Sequence, residues 1–165
     1  MAKMMSPNTT IWWIPFAGIA NFNAPTVAEI TAGINLSAAI VTGYTLAATD
    51  SDTDDSKTIV DEGNVQTPTF GNYEASLSFY RDAVGDAPGV FTTANDLFTA
   101  GRVEGWLVSR QGYKATVAPA TTQLVSVFGV ISDYHQVVEG DGGAPIQTTV
   151  PFKPTGSMKL NVPLV

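Results

Sequence analysis

The chain has 165 residues and no cysteine, which fits one ordinary domain and excludes disulfides and thiolate metal sites. Charged residues make up only 14 % of it, so Thr, Ser, Asn, Gln, Gly and Ala must form most of the surface, a composition suited to extensive protein contacts. The formal net charge of −7 argues against direct binding of nucleic acid, because affinity for a duplex comes mainly from Lys and Arg that neutralise phosphates.

The N-terminal part combines a polar arm, at about residues 1–10, with an apolar run at residues 11–20. The run is too short to span a bilayer. We interpret it as a strand rather than a signal peptide, and we expect no membrane partner and a cytosolic origin. Trp12, Trp13 and Phe16 form its aromatic cluster, for which core packing and a contact between subunits both stay open.

Residues 47–68 have little apolar content and predict a long loop or a protruding hairpin. They contain six acidic residues against one base. A loop of this length is uncommon in a compact domain unless it carries function or is disordered. We predict that its part at residues 50–62 contacts a further copy of the chain and moves or orders when copies stack. The candidate contact residues in this loop are Asp50, Asp52, Asp54, Asp55, Lys57, Asp61 and Glu62.

The same loop contains a weak candidate for a calcium site. Asp50, Asp52 and Asp54 have the spacing of positions 1, 3 and 5 of a calcium-binding loop, and Asp61 falls at position 12. Position 6, where a glycine is required, is Asp55, and no helical pattern flanks the loop. The sequence therefore favours a solvated or partner-facing charge cluster, and we expect neither a metal nor a cofactor.

Most other segments alternate apolar and polar residues with the period of two that is typical of strands. This holds for residues 73–81, 146–153 and 158–164, each with one apolar face. Residues 123–138 are apolar on both faces, which predicts a central strand covered on both sides. The pattern predicts a mainly β fold of two packed antiparallel sheets, in a sandwich or a barrel.

One short helix is predicted near residues 93–100. Thr93 is placed to cap its N-terminus and Asp96 to complete a capping box. Gly101 supplies a stop, and residues 102–110 resume as a strand.

The sequence contains no arrangement of residues that is typical of a catalytic site. His135 is the only histidine. Asp133 lies on the same strand face and Ser132 on the other, so these residues do not form a triad. One histidine without cysteine cannot supply a zinc site of the usual kind, and no phosphate-binding glycine loop is present. We predict no catalytic residues and a protein that is not an enzyme.

The order of these segments is similar to that of the major tail tube proteins of long-tailed (siphovirus-like) bacteriophages. The resemblance covers nearly all of the chain and rests on the ordered pattern, not on one motif. The residues that carry it are 24–30 with Gly33 and the strand-like 34–40, the strand end 79–82, the stretch 105–108, and the closing part from 127–130 through 150–156.

The resemblance implies a single tail-tube domain over residues 1–165, with a sandwich or barrel of two sheets. Subunits of that family form rings, usually hexameric, whose sheets line a continuous and commonly acidic channel. Rings stack through extended termini and a long loop into the tail tube. Implied partners are further copies of the chain, the tape measure protein and the tail terminator, while genomic DNA passes without specific binding. The implied location is the virion tail, after synthesis in the host cytoplasm.

Two other functions stay open at this point. One is a β-sandwich module that binds a carbohydrate or a receptor, with Trp106 or Tyr113 as exposed aromatic contacts. The other is a capsid decoration protein. Either would form monomers or small closed oligomers rather than tubes.

Overall fold

The computed structural model describes residues 8–60, 63, 66–139 and 141–165. Within these residues the chain forms ten strands and two α-helices, and 3-10 turns at Phe16–Gly18 and Asp141–Gly143. Neither helix is long or apolar enough to cross a membrane. The helices are α1 (Val27–Ala32) and α2 (Val90–Phe98). The strands are β1 (Thr9–Pro15), β2 (Ile34–Asn35), β3 (Thr45–Thr49), β4 (Thr53–Asp54), β5 (Thr67–Pro68), β6 (Asn72–Tyr80), β7 (Glu104–Gln111), β8 (Leu124–Ser132), β9 (Gln136–Val138) and β10 (Gln147–Pro163).

Eight of the described strands form one antiparallel sheet in the order β2-β1-β7-β8-β10-β6-β3, with β9 also paired to β10. The first part of β10 pairs with β6 and β9, and its second part pairs with β8. The sheet folds over at β10. The "β6 layer" (β3, β6, β9 and the first part of β10) thus faces the "β7 layer" (β1, β2, β7, β8 and the second part of β10). Strands β4 and β5 form a separate ribbon. The predicted fold class is confirmed.

The core between the two layers is built around aromatic rings. Phe98 of α2 meets Trp13 of β1 edge to face at 4.9 Å between ring centroids, and meets Phe152 of β10 at 5.2 Å. It also stacks on Phe79 of β6 at 6.1 Å. Such pairs are more stable than their buried area alone accounts for. Helix α2 therefore joins both layers through one buried side chain.

A second buried cluster lies on the opposite face of the β7 layer. Trp12 and Trp106 point to this side, where α1 and Leu164, which follows β10, cover them. The indole Nε1 of Trp106 donates a hydrogen bond to the carbonyl oxygen of Phe16 at 2.9 Å. Strand β8 therefore buries apolar side chains on both faces, as its sequence pattern predicts.

Helix α1 was not predicted from the sequence, because six residues are too few to show an apolar period. It forms through a capping box, in which Thr26 Oγ1 accepts from the Glu29 amide at 3.1 Å and Glu29 Oε2 accepts from the Thr26 amide at 2.7 Å. Partial burial opposes ionisation of Glu29, but the hydrogen bonds from the backbone of Ala20 and Thr26 outweigh it and lower the pKa of this carboxyl.

Helix α2 begins three residues earlier than predicted, and Thr93 does not cap it. Its N-cap is Gly89, and Thr93 Oγ1 instead donates to the Gly89 carbonyl oxygen at 3.1 Å. The carboxylate of Asp82 caps the helix from outside, where it accepts from the amides of Gly89 at 3.0 Å and Thr92 at 2.9 Å and from the Thr92 hydroxyl at 2.6 Å. A cap from seven residues upstream is a tertiary contact that a local pattern does not contain.

The strand boundaries also differ from the prediction. Residues 146–153 and 158–164 belong to the single strand β10, whereas residues 123–138 divide into β8 and β9. Leu160 was predicted to point inward but is 43 % exposed, because a register shift between Lys159 and Val162 resets the alternation. Of the strand-like residues 34–40, only the first two form β2.

We predict that Phe98→Ala lowers the free energy of unfolding by about 3–5 kcal/mol, because it leaves a cavity between the two layers. Urea denaturation of the unassembled subunit measures this change. Val84→Ala is the matched control, since Val84 is fully exposed and its truncation should change the free energy of unfolding by less than about 0.5 kcal/mol. Equal losses for the two variants would contradict the packing described.

Asp82 should make the stability of the subunit depend on pH. The hydrogen bond of the Thr92 hydroxyl, followed by those of the Gly89 and Thr92 amides, lowers the pKa of Asp82 below its usual value. The unfolded state, with an aspartate pKa of about 3.9, then binds more protons, so this contribution is present above that pH and is lost as the pH falls through the folded-state pKa.

We therefore expect Asp82→Ala to lower Tm at pH 7 and to show a smaller further loss of Tm below about pH 4 than the unmodified chain. Thermal unfolding by circular dichroism across a pH series checks this. Asp86→Ala, in the same loop, should keep the original Tm at pH 7. An unchanged acid profile for Asp82→Ala would show that its carboxylate does not stabilise α2.

Candidate assembly surfaces

The outer face of the β6 layer is a four-stranded surface of short, mostly uncharged side chains. The strand register places outward residues of β3 and β9 beside those of β6 and β10. The hydroxyls of Ser78 and Thr149 share a hydrogen bond of 2.8 Å across this face. Among the residues of these strands that point outward, only Glu74 and Lys153 carry charge. The face comprises Thr45, Ala47, Thr49, Asn72, Glu74, Ser76, Ser78, Tyr80, Gln136, Val138, Gln147, Thr149, Pro151 and Lys153.

Both lateral edges of the β6 layer are open. Strand β3 pairs on one side with β6, and within the described part of the chain its other side makes no backbone hydrogen bond. Among the described strands, β9 pairs only with β10, and its Val137 and Val138 are 61 % and 50 % exposed. Neither strand carries the charges, prolines or bulges that protect natural edge strands from pairing with another chain.

The directions of these two edge strands are compatible with each other in a second copy. Strand β3 is antiparallel to β6, β6 to β10, and β10 to β9. Strands β3 and β9 therefore run in opposite directions. When β9 of one copy lies beside β3 of another, the antiparallel order continues across the junction.

The β1 side of the β7 layer is closed by the chain itself. Strand β2 pairs with Trp12 and Trp13, and the segment after it continues the cover. There the amide of Leu36 donates to the Ile11 carbonyl oxygen at 2.9 Å, and the Ile11 amide donates to Ser37 Oγ at 2.9 Å. The chain protects this edge while the two edges of the β6 layer stay unprotected.

The sequence did not identify these edges. Residues 47–49 were assigned to the long loop but belong to β3, and β9 was not separated from β8. The five residues of β3 contain no charge and no proline, which is a signal of an unprotected edge. Such a composition identifies an unprotected edge only when the sheet shows that the strand has a neighbour on one side alone.

The predicted acidic loop is an exposed arm with an ordered base. Backbone hydrogen bonds join Asp52 to Phe70 and Thr69, and the Asn72 side chain donates to the Asp50 carbonyl oxygen at 3.2 Å and to Asp52 Oδ1 at 2.9 Å. Beyond these contacts the arm continues as the β4–β5 ribbon. The candidate contact residues Asp50, Asp52, Asp54, Asp55 and Lys57 are exposed, and Asp61 and Glu62 lie outside the described residues.

In the described part of this arm, no cluster of ligands supports the calcium hypothesis. Asp54 Oδ1 accepts from the amide of Ser56 at 2.9 Å, and the side-chain and backbone hydrogen bonds of Ser56 lower the pKa of Asp54. Among the described residues, no three acidic or histidine side chains converge on a possible metal position. The fourth candidate ligand, Asp61, lies outside them.

Three large apolar side chains stand free on the arm or at its base. Ile59 is fully exposed, and Val60 and Phe70 are largely exposed. Apolar side chains of this size stabilise a complex when a partner removes them from water. The arm therefore exposes both carboxylates and large apolar side chains.

The aromatic residues of the N-terminal run divide between core and surface. Trp12 and Trp13 are buried within the chain, so core packing describes these two residues in this structure. Phe16 is 47 % exposed and stacks on Trp106 at 5.2 Å. Of these three residues, only Phe16 is exposed enough to contact another subunit, and for Phe16 this contact stays a prediction. Trp106 is buried between Phe16 and Phe22, so it does not offer a binding surface.

In the part of the chain that the structure describes, Ser132, Asp133 and His135 do not form a hydrogen-bonded group. Ser132 Oγ accepts from the Val103 amide at 2.9 Å, and Asp133 Oδ1 accepts from the Tyr134 amide at 2.8 Å. Within the described chain no hydrogen bond links either of them to His135.

The described part of the chain is thus a β-sandwich with two open edges and a protruding arm. A model of a family described as phage tail tube protein matches residues 1–165. The chain therefore belongs to this family. It is a structural protein of the phage virion, and its subunits assemble and stack into the tail tube.

Two solved structures share this fold. The SPP1 tail tube is 13 % identical with a TM-score of 0.59, and the match covers 99 % of this chain and 81 % of that chain. The anti-feeding prophage baseplate is 12 % identical with a TM-score of 0.56, and the match covers 98 % of this chain and 97 % of that chain. No curated protein sequence matches the chain.

Proposed function

We propose that subunits of this chain join side by side into closed, six-membered rings, with β9 of each subunit paired to β3 of the next. The observation that supports this is the pair of unprotected edges at opposite ends of one antiparallel layer. A contact between two different surfaces of the same subunit forms a ring when its rotation closes. The backbone groups of both edges then gain the hydrogen-bond partners that they lack in the isolated subunit.

In such a ring the outer face of the β6 layer lines the channel through which genomic DNA passes. Phosphate contacts from Lys and Arg hold DNA strongly, and this face contains one base, Lys153, beside one acid, Glu74. Its hydroxyl and amide side chains keep adhesion to DNA weak. The proposed lining is therefore nearly neutral, in contrast to the acidic channel that the family resemblance implies, because most acidic residues of the described chain lie elsewhere.

The arm is proposed to join successive rings. Its carboxylates at residues 50–55 and the apolar side chains of Ile59 and Val60 are exposed in the isolated subunit. A contact between rings does not close on itself, so it repeats along the axis and forms a filament. The N-terminal arm, at about residues 1–10, is proposed as a second contact between rings. Its residues 1–7 lie outside the described part of the chain.

The proposal also covers the domain organisation of the chain, its place of synthesis and its other partners. The whole chain, residues 1–165, acts as a single domain with no catalytic role and no cofactor. It is made in the host cytoplasm, and its further partners are other tail proteins such as the tape measure protein and the tail terminator.

We predict that the purified chain forms rings or hollow tubes in negative-stain electron microscopy as its concentration rises. The variant Ala47→Cys/Val138→Cys should then give a ladder of covalent oligomers with a bifunctional thiol reagent. Because the natural chain has no cysteine, every crosslink comes from the introduced pair. Each single-cysteine variant is a matched control and should stay uncrosslinked, since β3 pairs with β9 and not with itself.

The microscopy tests whether tubes form, and the crosslinking tests whether β3 pairs with β9. Monomers at all concentrations would contradict the proposed ring and its function in the tube. Tubes without a crosslinked ladder would contradict the β3–β9 pairing and leave tube formation standing. Dimers from a single-cysteine variant would indicate a two-fold contact between identical edges.

Removal of residues 51–57 should leave a folded subunit that does not form tubes, because it removes strand β4 of the ribbon and three of the six carboxylates of the arm. Circular dichroism checks the fold and electron microscopy checks the tubes. Ile59→Ser/Val60→Ser tests the apolar tip separately and should weaken tube formation. Val84→Ser, an equally exposed change on another loop, should form normal tubes. Normal tubes from the deletion would show that the arm does not join rings.

A further inference from the structure

A cavity of about 350 Å³, lined mainly by uncharged polar residues, lies on the β7 layer, and none of its lining residues belongs to β3, β9 or the arm. Its size is in the range of pockets that hold small ligands. The lining is uncharged and rich in hydroxyl and amide groups. The side chains that matter most are Ser109 and Gln111 of β7, Tyr113 and Gln123 of the β7–β8 loop, Ser126 of β8 and Asn161 of β10.

Two lining residues are held in an unfavourable backbone conformation. In the described chain three non-glycine residues have a left-handed φ, and two of them, Thr122 (71°) and Asn161 (52°), line this cavity. The conformation is uncommon for residues other than glycine and is most costly for a β-branched one such as Thr, whereas Asn accepts it more readily. Asn161 also lies within the register shift of β10, and its amide donates to Ser126 Oγ at 3.2 Å. Irregularities of this kind re-aim side chains at functional sites.

The β7–β8 loop forms one wall of the cavity, and a buried arginine holds this loop in place. Arg110 is fully buried, and its partners in the described chain are neutral oxygens. It donates to Gln123 Oε1 at 2.8 Å and to the Val117 carbonyl oxygen at 2.7 Å. Its guanidinium also lies 5.2 Å from the centre of the Tyr113 ring. Charge-assisted hydrogen bonds of this kind are strong, so the loop is preorganised before any ligand arrives.

We propose that this cavity binds a neutral saccharide unit. Its serine hydroxyls and the amides of Gln111 and Asn161 can donate and accept, which matches the adjacent hydroxyls of a sugar ring. Tyr113, 40 % exposed, offers an aromatic surface to the apolar C–H groups of the ring. The lining contains no charge to recognise an anion or a cation. This site is independent of the proposed ring and gives the subunit a second kind of partner.

The strained residues provide a test that separates binding from folding. Glycine accepts a left-handed φ without penalty, so Asn161→Gly should keep or raise Tm while it removes an amide from the cavity. Arg102→Gly is the matched control, because Arg102 is the third residue with a left-handed φ (55°) and does not line the cavity. Tyr113→Ala removes the aromatic surface.

Saturation-transfer NMR with the full chain provides the measurement, with methyl α-glucopyranoside, methyl β-galactopyranoside and N-acetylglucosamine as neutral probes and glucuronate as a charged one. We expect at least one neutral probe to bind and glucuronate to bind more weakly. Asn161→Gly and Tyr113→Ala should each weaken that binding by about tenfold. Arg102→Gly should bind as the unmodified chain does.

Three results would overturn the proposal: no transfer to any neutral probe, equal binding by Asn161→Gly and the unmodified chain, or stronger binding of glucuronate. A peptide of residues 50–60 serves as a further probe. If it binds in the cavity and the sugars do not, the site is a polypeptide contact and the saccharide assignment is wrong.

Discussion

The hydrogen bonding of one strand to two different sets of partners determines the arrangement of the rest of the subunit. Strand β10 pairs with β6 and β9 in its first part and with β8 in its second, and the register shifts between Pro154 and Met158. The Tyr73 hydroxyl holds this junction, since it donates to the Gly129 carbonyl oxygen and accepts from the amide of Thr155 at 3.1 Å. Because a single strand belongs to both layers, their relative position is fixed, and the unpaired edges fall at β3 and β9.

Polarity is distributed in the way that this arrangement requires. The two aromatic-rich clusters occupy the space between the layers and the far side of the β7 layer, where Trp13 and Trp106 are buried. Acidic residues concentrate on the arm, while the open face of the β6 layer is almost free of charge. A surface of small neutral side chains loses little solvation when a neighbour covers its edge, whereas an unpaired buried charge is costly. A low fraction of charged residues and an acidic arm are therefore compatible in one subunit.

The proposed assembly through strand edges is compatible with the persistence of similar folds at very low identity. The SPP1 tail tube and the anti-feeding prophage baseplate share the fold at 13 % and 12 % identity. Edge pairing uses backbone N–H and C=O groups, which every residue except proline supplies. Layer packing requires alternation of apolar and polar residues and not particular side chains. The order of elements is then retained while individual residues change, as the diffuse resemblance in the sequence indicates.

The sequence by itself determined the layered β architecture, the inward face of β6, the central position of β8 and the exposed acidic arm, because period-two alternation and local charge record these features directly. Tertiary structure alone decided the start of α2, where Asp82 reaches across a loop, and the exposure of Leu160, where a register shift resets the alternation. It also decided which aromatic residues are buried and which edges stay open. Burial and pairing depend on residues distant in the chain, so a local pattern contains the propensity of a segment but not its neighbours.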